Sequence, residues 1–265
     1  MTRTSNPPRT APSLSSWRAH GGSAIGADHR RSGRGNQDAW YVQRSELAVV
    51  GVVADGCGSA PHSEVGAWLG ARLWADALAG LLDDGLTPTQ PQLWDRACAR
   101  SLERLAAVVE ALPGSSTALV HEALLFTLVG FVLTPAQLVV HAIGDGVVWL
   151  DGQLTTLGPF PDNQPPYLGY GLHGPTPPVQ VIHAVDPAQV ERLILATDGA
   201  VELSIERFAD PRYLLRPHAI QRELAQLNRE TQNIDWSAEV VERSHGRLAD
   251  DTTLLVLGRE PGRSA

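Results

Sequence analysis

The stretch Ala48 to Ser59, Ala-Val-Val-Gly-Val-Val-Ala-Asp-Gly-Cys-Gly-Ser, constrains this chain most. A short, β-branched apolar run that stops at an acid followed by alternating glycines reads as a buried strand delivering a carboxylate to a tight turn at a sheet edge. Gly56 and Gly58 lack Cβ atoms, so the backbone can close around whatever Asp55 holds and offer it a carbonyl. An ordinary strand-to-helix turn with a capping Asp fits this segment alone equally well.

Recurrence shifts the balance. Leu193 to Ala200 is again an apolar strand ending in Asp198-Gly199, and at Asp250-Asp251-Thr252-Thr253 the acids precede an apolar run instead of following it. In an antiparallel pair, an acid after one strand and an acid before its neighbour lie at the same sheet edge. Asp55, Asp198 and Asp250 can therefore meet. Two such charges about 4 Å apart repel by roughly 4 kcal/mol at an effective dielectric of about 20, so the cluster needs protons or cations. Hard, all-oxygen ligands favour Mg2+ or Mn2+ over zinc.

The order Asn36-Gln37-Asp38, Ala54-Asp55-Gly56-Cys57-Gly58, Ile143-Gly144-Asp145-Gly146, Ala196-Thr197-Asp198-Gly199 and Asp250-Asp251-Thr252-Thr253 resembles the metal-dependent protein phosphatases of the protein phosphatase 2C family. The resemblance runs from about Ile25 to Leu257, and His29 with Gln37-Asp38 and Asn163 to Leu168 is similar to a compact bacterial branch. It implies an α+β fold, a four-layer αββα sandwich of two antiparallel sheets flanked by helices. It implies a serine/threonine protein phosphatase that hydrolyses phosphoprotein monoesters by attack of a water held between two Mg2+ or Mn2+ ions. Asp55 would bridge the ions, Asp198 and Asp250 would hold one, the Gly56 carbonyl would help hold the other, Asp38 would bind metal or metal-bound water, and Asp145 would touch a third, weaker metal or form a plain turn. Arg34, with Arg31 in reserve, would bind the substrate phosphate, since a guanidinium meets a dianion with paired, charge-assisted hydrogen bonds. A solvated loop with scattered arginines is the bland reading of that segment. Asp251 would support the ligands or exchange with Asp250. Relatives with His directly after Asp-Gly use it as general acid, whereas Cys57 stands here, leaving water, His62 or His29 to protonate the leaving group. A phosphorylated protein substrate and a cognate serine/threonine kinase are the implied partners.

The 265 residues suit one α/β-sized domain. We divide them into a disordered tail at 1–16, a catalytic domain at 17–258 and a C-terminal tail at 259–265. A formal charge of -8 argues against nucleic acid or an anionic membrane as partner. No apolar stretch reaches the roughly 18 to 20 residues of a membrane span. Cys57 and Cys98 form no disulfide framework and lack metal-ligand spacing, which fits a reducing cytoplasm.

Along the chain, Ser23 to His29 reads as the first strand and Arg30 to Gly35 as a loop. Val65, Leu69, Leu73, Ala77 and Leu81 mark an amphipathic helix ended by Asp83-Asp84-Gly85, with Trp68 and Trp74 as packing residues. A second helix begins at Thr89, with Gln92 in capping-box register, and ends at Pro113-Gly114. Leu125 to Leu157 reads as a β-meander, and His121 and His141, among apolar neighbours, read as core or structural histidines. Pro159 to Pro178, dense in Pro and Gly, is a surface loop where Tyr167, Tyr170 and His173 would influence substrate choice. Val190 to Ala196 resumes the sheet, a helix starts at Pro217, and another capped by Asp235 or Ser237 runs to Gly246.

Three competing readings stand beside this one. An inactive family member acting as a phosphoprotein-binding or signalling module has no need to tolerate the repulsion among its acids. A haloacid dehalogenase-type phosphatase needs an Asp-x-Asp pair that Asp55-Gly56-Cys57 does not supply. A structural Ca2+ site would draw its ligands from one loop.

Overall fold

The computed structural model describes residues 13–244 and 246–260. In chain order its elements are β1 (Trp17–Ala24), α1 (Ala27–Ser32), β2 (Asp38–Arg44), β3 (Val49–Gly56), α2 (Ser63–Asp83), α3 (Pro91–Ala111), α4 (Ser116–Ala123), β4 (Phe126–Leu133), β5 (Leu138–Ile143), β6 (Gly146–Leu150), β7 (Gln153–Leu157), β8 (Gln180–Val185), β9 (Arg192–Ala196), α5 (Arg212–Leu215), α6 (Ala219–Leu227), β10 (Thr231–Asp235), β11 (Val240–Ser244) and β12 (Thr252–Arg259). One five-stranded sheet has the order β1-β12-β9-β6-β7 and the other β2-β3-β4-β5-β8. Every pairing is antiparallel. A separate two-stranded hairpin joins β10 to β11.

The run in β3 is apolar on both faces because both faces are covered. Val49 and Val53 join Val129, Phe131, Leu193, Leu195, Leu255 and Leu257 in a core between the two sheets. Val50, Val52 and Ala54 point the other way, into a second core with Trp74, Leu78, Leu93 and Leu105 of α2 and α3. A third core lies outside the first sheet, where Ile194, Leu254 and Val256 meet Tyr213, Ile220 and Leu224 of α5 and α6. Each large apolar side chain taken fully into these layers contributes roughly 1.5–3 kcal/mol. The result is the expected helix-sheet-sheet-helix stacking.

Trp74 is fully buried, and its indole N–H donates to His141 Nε2 at 2.8 Å while the Trp94 ring lies 4.8 Å from that of His141. Burial holds His141 down to about 3, so it is a neutral structural histidine. Trp68, by contrast, is 62% exposed and does not pack as the helical spacing suggested.

The structure departs from the sequence reading in several places. The first strand is Trp17–Ala24, and the segment expected to be strand and loop beyond it winds into α1. The meander breaks at Gly144: β5 belongs to one sheet and β6 to the other. Gly144 and Gly146 have φ of 90° and 139°, and a Cβ at either would strike Thr127 or Val129, so only glycines let the chain cross between sheets here. Helix α3 starts at Pro91, and Gln90 turns its side chain back to the Thr87 N–H, so the Thr89–Gln92 capping box does not form. The helix expected after Asp235 is the β10–β11 hairpin, whose turn is held by Asp235 Oδ1 accepting from the Ser237 and Ala238 N–H groups. Helix α4 and strand β8 carry no periodic signal strong enough to announce them.

At the ends, β1 and β12 pair throughout, Trp17 opposite Arg259 and Ala24 opposite Thr252, and the Glu260 N–H donates to the Ser16 carbonyl. Leu14–Ser16 form a 3-10 turn. Order thus extends into both expected tails; the rest of each, at 1–12 and 261–265, lies outside the described residues. No helix among the described residues is long and apolar enough to cross a membrane.

The inter-sheet layer leaves no room at Gly51, where a Cβ would meet the Phe131 ring and a Leu255 methyl at 2.8 Å. Gly51→Val is expected to cost about 1–3 kcal/mol by overpacking. Urea unfolding that shows no loss would contradict this packing of the sheets.

Candidate active site

The strand alternation that fills the inter-sheet core also aims the acids. Asp55 shares the parity of Val49 and Val53, so its side chain emerges between the sheets at the end of β3. Directly opposite stand Asp38 of β2 and Thr127 of β4. The apolar columns of the second sheet therefore end in a polar row, Asp38, Asp55 and Thr127. From the first sheet, Thr197 follows β9 and its hydroxyl donates to Asp38 Oδ2 at 2.7 Å, while its Oγ1 accepts from the Thr253 N–H. Asp198 follows Thr197, and Asp250 precedes β12. The Gly144 crossing swings Asp145 to the same edge.

A cavity of about 780 Å3 opens there, lined by Asp55, Gly56, Asp145, Asp198, Asp250 and His29. Its other wall includes His121, Glu122, Asp162, Asn163, Tyr167 and Tyr170. Asp38 stands behind Asp55 and does not line it, and one of its oxygens, Oδ1, is buried without a partner among the described residues. Burial pushes Asp38 up to about 8, with the charges of Asp251 and Asp198 adding to it against hydrogen bonds from Thr197 and Thr253. Burial, then the charges of Asp38, Asp198 and Asp145, hold Asp55 well above the usual carboxylate range. Asp145 is raised to about 6, by burial first and Asp198 second. Asp250 is also raised, chiefly by burial.

These observations fit bound divalent cations. The donors are hard oxygens, their charges repel, and one buried oxygen lacks any partner. At Gly56 a Cβ would lie 2.7 Å from the Ser63 carbonyl and 2.8 Å from that of Gln37, so only glycine allows the turn to close this tightly beside Asp55.

Asp251 has a different environment. Its Oδ1 accepts from the Gly26 N–H at 2.6 Å, and its Oδ2 accepts from the Gln37 N–H at 2.5 Å and from His29 Nδ1 at 2.8 Å. Both oxygens of Asp251 are thus engaged although it lines the cavity, whereas Asp250 beside it accepts from the Asp251 N–H through Oδ1 at 2.8 Å.

Several expected residues sit elsewhere. Arg34 does not line the cavity: its guanidinium donates to the Gly58 carbonyl on the turn after Asp55. Arg31 pairs with Asp28 at the surface. No Arg or Lys is among the lining residues. His62 is 65% exposed beside Glu64 and lies outside the cavity wall, so it is not placed to protonate a leaving group. His173 is likewise absent from the wall. His121, expected in a core, is exposed and lines the cavity. Sequence reading missed Glu122 and Asp162; the left-handed φ of 54° and 52° at Asp162 and Asn163 marks this part of the wall as a specially shaped turn.

The raised carboxyls set the pH behaviour of the protein freed of metal. Asp38 at about 8 and Asp145 at about 6 in the folded state exceed the unfolded value of 3.8, so the native state binds more protons between these limits. Stability from these groups is complete below the unfolded value and is lost as pH rises. The melting temperature of chelator-treated protein is expected to fall from about pH 5 to about pH 8.5, and Asp38→Asn to flatten the slope. A level or rising profile would contradict the burial of these acids.

A family model described as Protein phosphatase 2C matches residues 25–239. Among solved structures, the catalytic domain of the serine/threonine protein phosphatase PstP in complex with 2 manganese ions is 19% identical, with 91% of this chain and 97% of that chain covered at a TM-score of 0.53. Serine/threonine phosphatase Stp1 from Staphylococcus aureus is 14% identical, with 91% and 94% covered at 0.57. PppA of Pseudomonas aeruginosa, described as a key regulatory component of T6SS, is 15% identical, with 92% and 97% covered at 0.52. A search of curated proteins finds no match. The structural likenesses carry the fold, the family model adds the sequence pattern over most of the same residues, and together they show that this chain belongs to the protein phosphatase 2C family.

Proposed function

We propose that this protein is a metal-dependent serine/threonine protein phosphatase acting on phosphoprotein monoesters, with Mg2+ or Mn2+ as cofactor. The observation that carries the reading is the convergence of Asp55 from one sheet with Asp198 and Asp250 from the other on one open cavity. In this reading Asp55, Asp198, Asp250 and the Gly56 carbonyl would hold the cations. Asp38 backs Asp55, and Asp145 would serve a third cation. When bound, the cations supply Lewis-acid stabilisation of the phosphoryl oxygens and an activated water.

The chain's own contribution is positioning. Thr197 fixes Asp38 by the hydrogen bond from its hydroxyl to Oδ2. Arg34 would meet a phosphate only after releasing Gly58; as it stands it braces the turn that carries Asp55. Tyr167 belongs to the core beneath the cavity, whereas Tyr170 is 37% exposed on its rim and is the residue of the Pro-rich loop placed to touch a peptide. An inactive module is disfavoured because nothing else explains keeping these acids together. The partner class is a serine/threonine kinase that phosphorylates the same substrate, and the two free thiols, Cys57 and Cys98, suit a reducing cytoplasm.

Hydrolysis of an aryl phosphate and a phosphothreonine peptide should appear with Mn2+ or Mg2+, vanish with chelator and drop about a hundredfold or more in Asp198→Asn. Metal binding without turnover on either substrate would overturn the reading. Tyr170→Ala is expected to change selectivity among phosphopeptides while leaving aryl phosphate turnover within about threefold; equal effects on all substrates would remove it from the peptide contact.

A further inference from the structure

His29 lies on α1, lines the cavity and is 11% exposed. One ring nitrogen of His29, Nδ1 or Nε2, and carboxylate oxygens of Asp250 and Asp251 all lie within 4.8 Å of one another, which places the imidazole beside the paired acids. The Asp251 carboxylate accepts in the 2.8 Å contact, so His29 Nδ1 is the N–H donor and, in the neutral ring, the lone pair is on Nε2. Among the described residues Nε2 has no hydrogen-bond partner. Asp251 is itself immobilised by the N–H groups of Gly26 and Gln37. A carboxylate that fixes one imidazole nitrogen so that the other faces a metal position is the usual support for a histidine ligand.

We propose that His29 Nε2 is a nitrogen ligand of the cation held on the Asp198 and Asp250 side of the cavity, oriented by Asp251. The inference rests on the metal-dependent reading above and adds a donor that an all-oxygen site lacks. Imidazole suits Mn2+ better than Mg2+, which favours oxygen and retains its waters. This position therefore selects Mn2+ over Mg2+, and Asp251 is a positioning residue for His29 instead of a ligand.

The test is pulsed electron paramagnetic resonance of Mn2+ bound to the full-length protein, unlabelled and grown with 15N-histidine. The expected result is nitrogen modulation that changes on 15N-histidine labelling and disappears in His29→Gln. In titrations followed by the signal of free Mn2+, His29→Gln should weaken one Mn2+ site by about tenfold or more, and Mg2+ binding by less. The wild-type spectrum needs no variant, so misfolding of His29→Gln would not spare the proposal. Bound Mn2+ with no nitrogen modulation, or modulation that survives in a folded His29→Gln and so reports His121, would overturn the assignment while leaving the phosphatase reading intact. Failure of the wild-type protein to bind Mn2+ at all would overturn both.

Discussion

The arrangement depends on holding like charges together where two sheets part. Asp38 and Asp55 sit side by side across β2 and β3, in an environment that pushes both carboxyls upward. Water would separate such a pair cheaply, but the sandwich prevents it. Asp55 ends a strand whose Val49 and Val53 pack in the core between the sheets, and Asp38 is paired to it on β2, so moving the acids means moving packed strands. The core thus supplies the stability that offsets a locally unfavourable cluster, a trade expected where a site must be ready for cations before they arrive.

Asp251 ties this edge to the start of the chain. Its two oxygens gather the N–H of Gly26 before α1, the N–H of Gln37 before β2, and the ring of His29. One buried carboxylate thereby fixes the distance between the first helix, the start of β2 and the last strand. Adjacent acids in the sequence carry different loads: both border the cavity, and Asp251 in addition holds Gly26, Gln37 and His29 through its two oxygens.

The layered fold was legible through the resemblance to a known family, and the meeting of Asp55, Asp198 and Asp250 because it rests on short-range rules: apolar strands punctuated by Asp-Gly, and antiparallel pairing that returns acids to one edge. Failures came where a contact distant in sequence overrode local pattern. Gly144 looked like a hairpin turn, yet its surroundings send the chain to the other sheet. The segment after Asp235 has helical composition but forms an exposed hairpin, with Trp236 82% exposed at its turn. Arg34 had the right chemistry for phosphate, and a backbone carbonyl captured it. His121 sat among apolar neighbours in sequence, while the short helix α4 turns it outward to the cavity. Periodicity reports which face is apolar, not which element a polar residue will find across the fold.

The pairing of β1 with β12 also fixes the geography of the molecule. Ala24 and Thr252 adjoin the cavity, whereas Trp17 and Arg259 lie at the other end of the same ladder, about 25 Å away at roughly 3.4 Å per residue. Any polypeptide joined beyond Ser16 or Glu260 would depart from a single point on the face opposite the chemistry. A neighbouring module attached there is a tether before it is a lid: it raises the local concentration of whatever it carries near this domain, with the cavity left open to substrate.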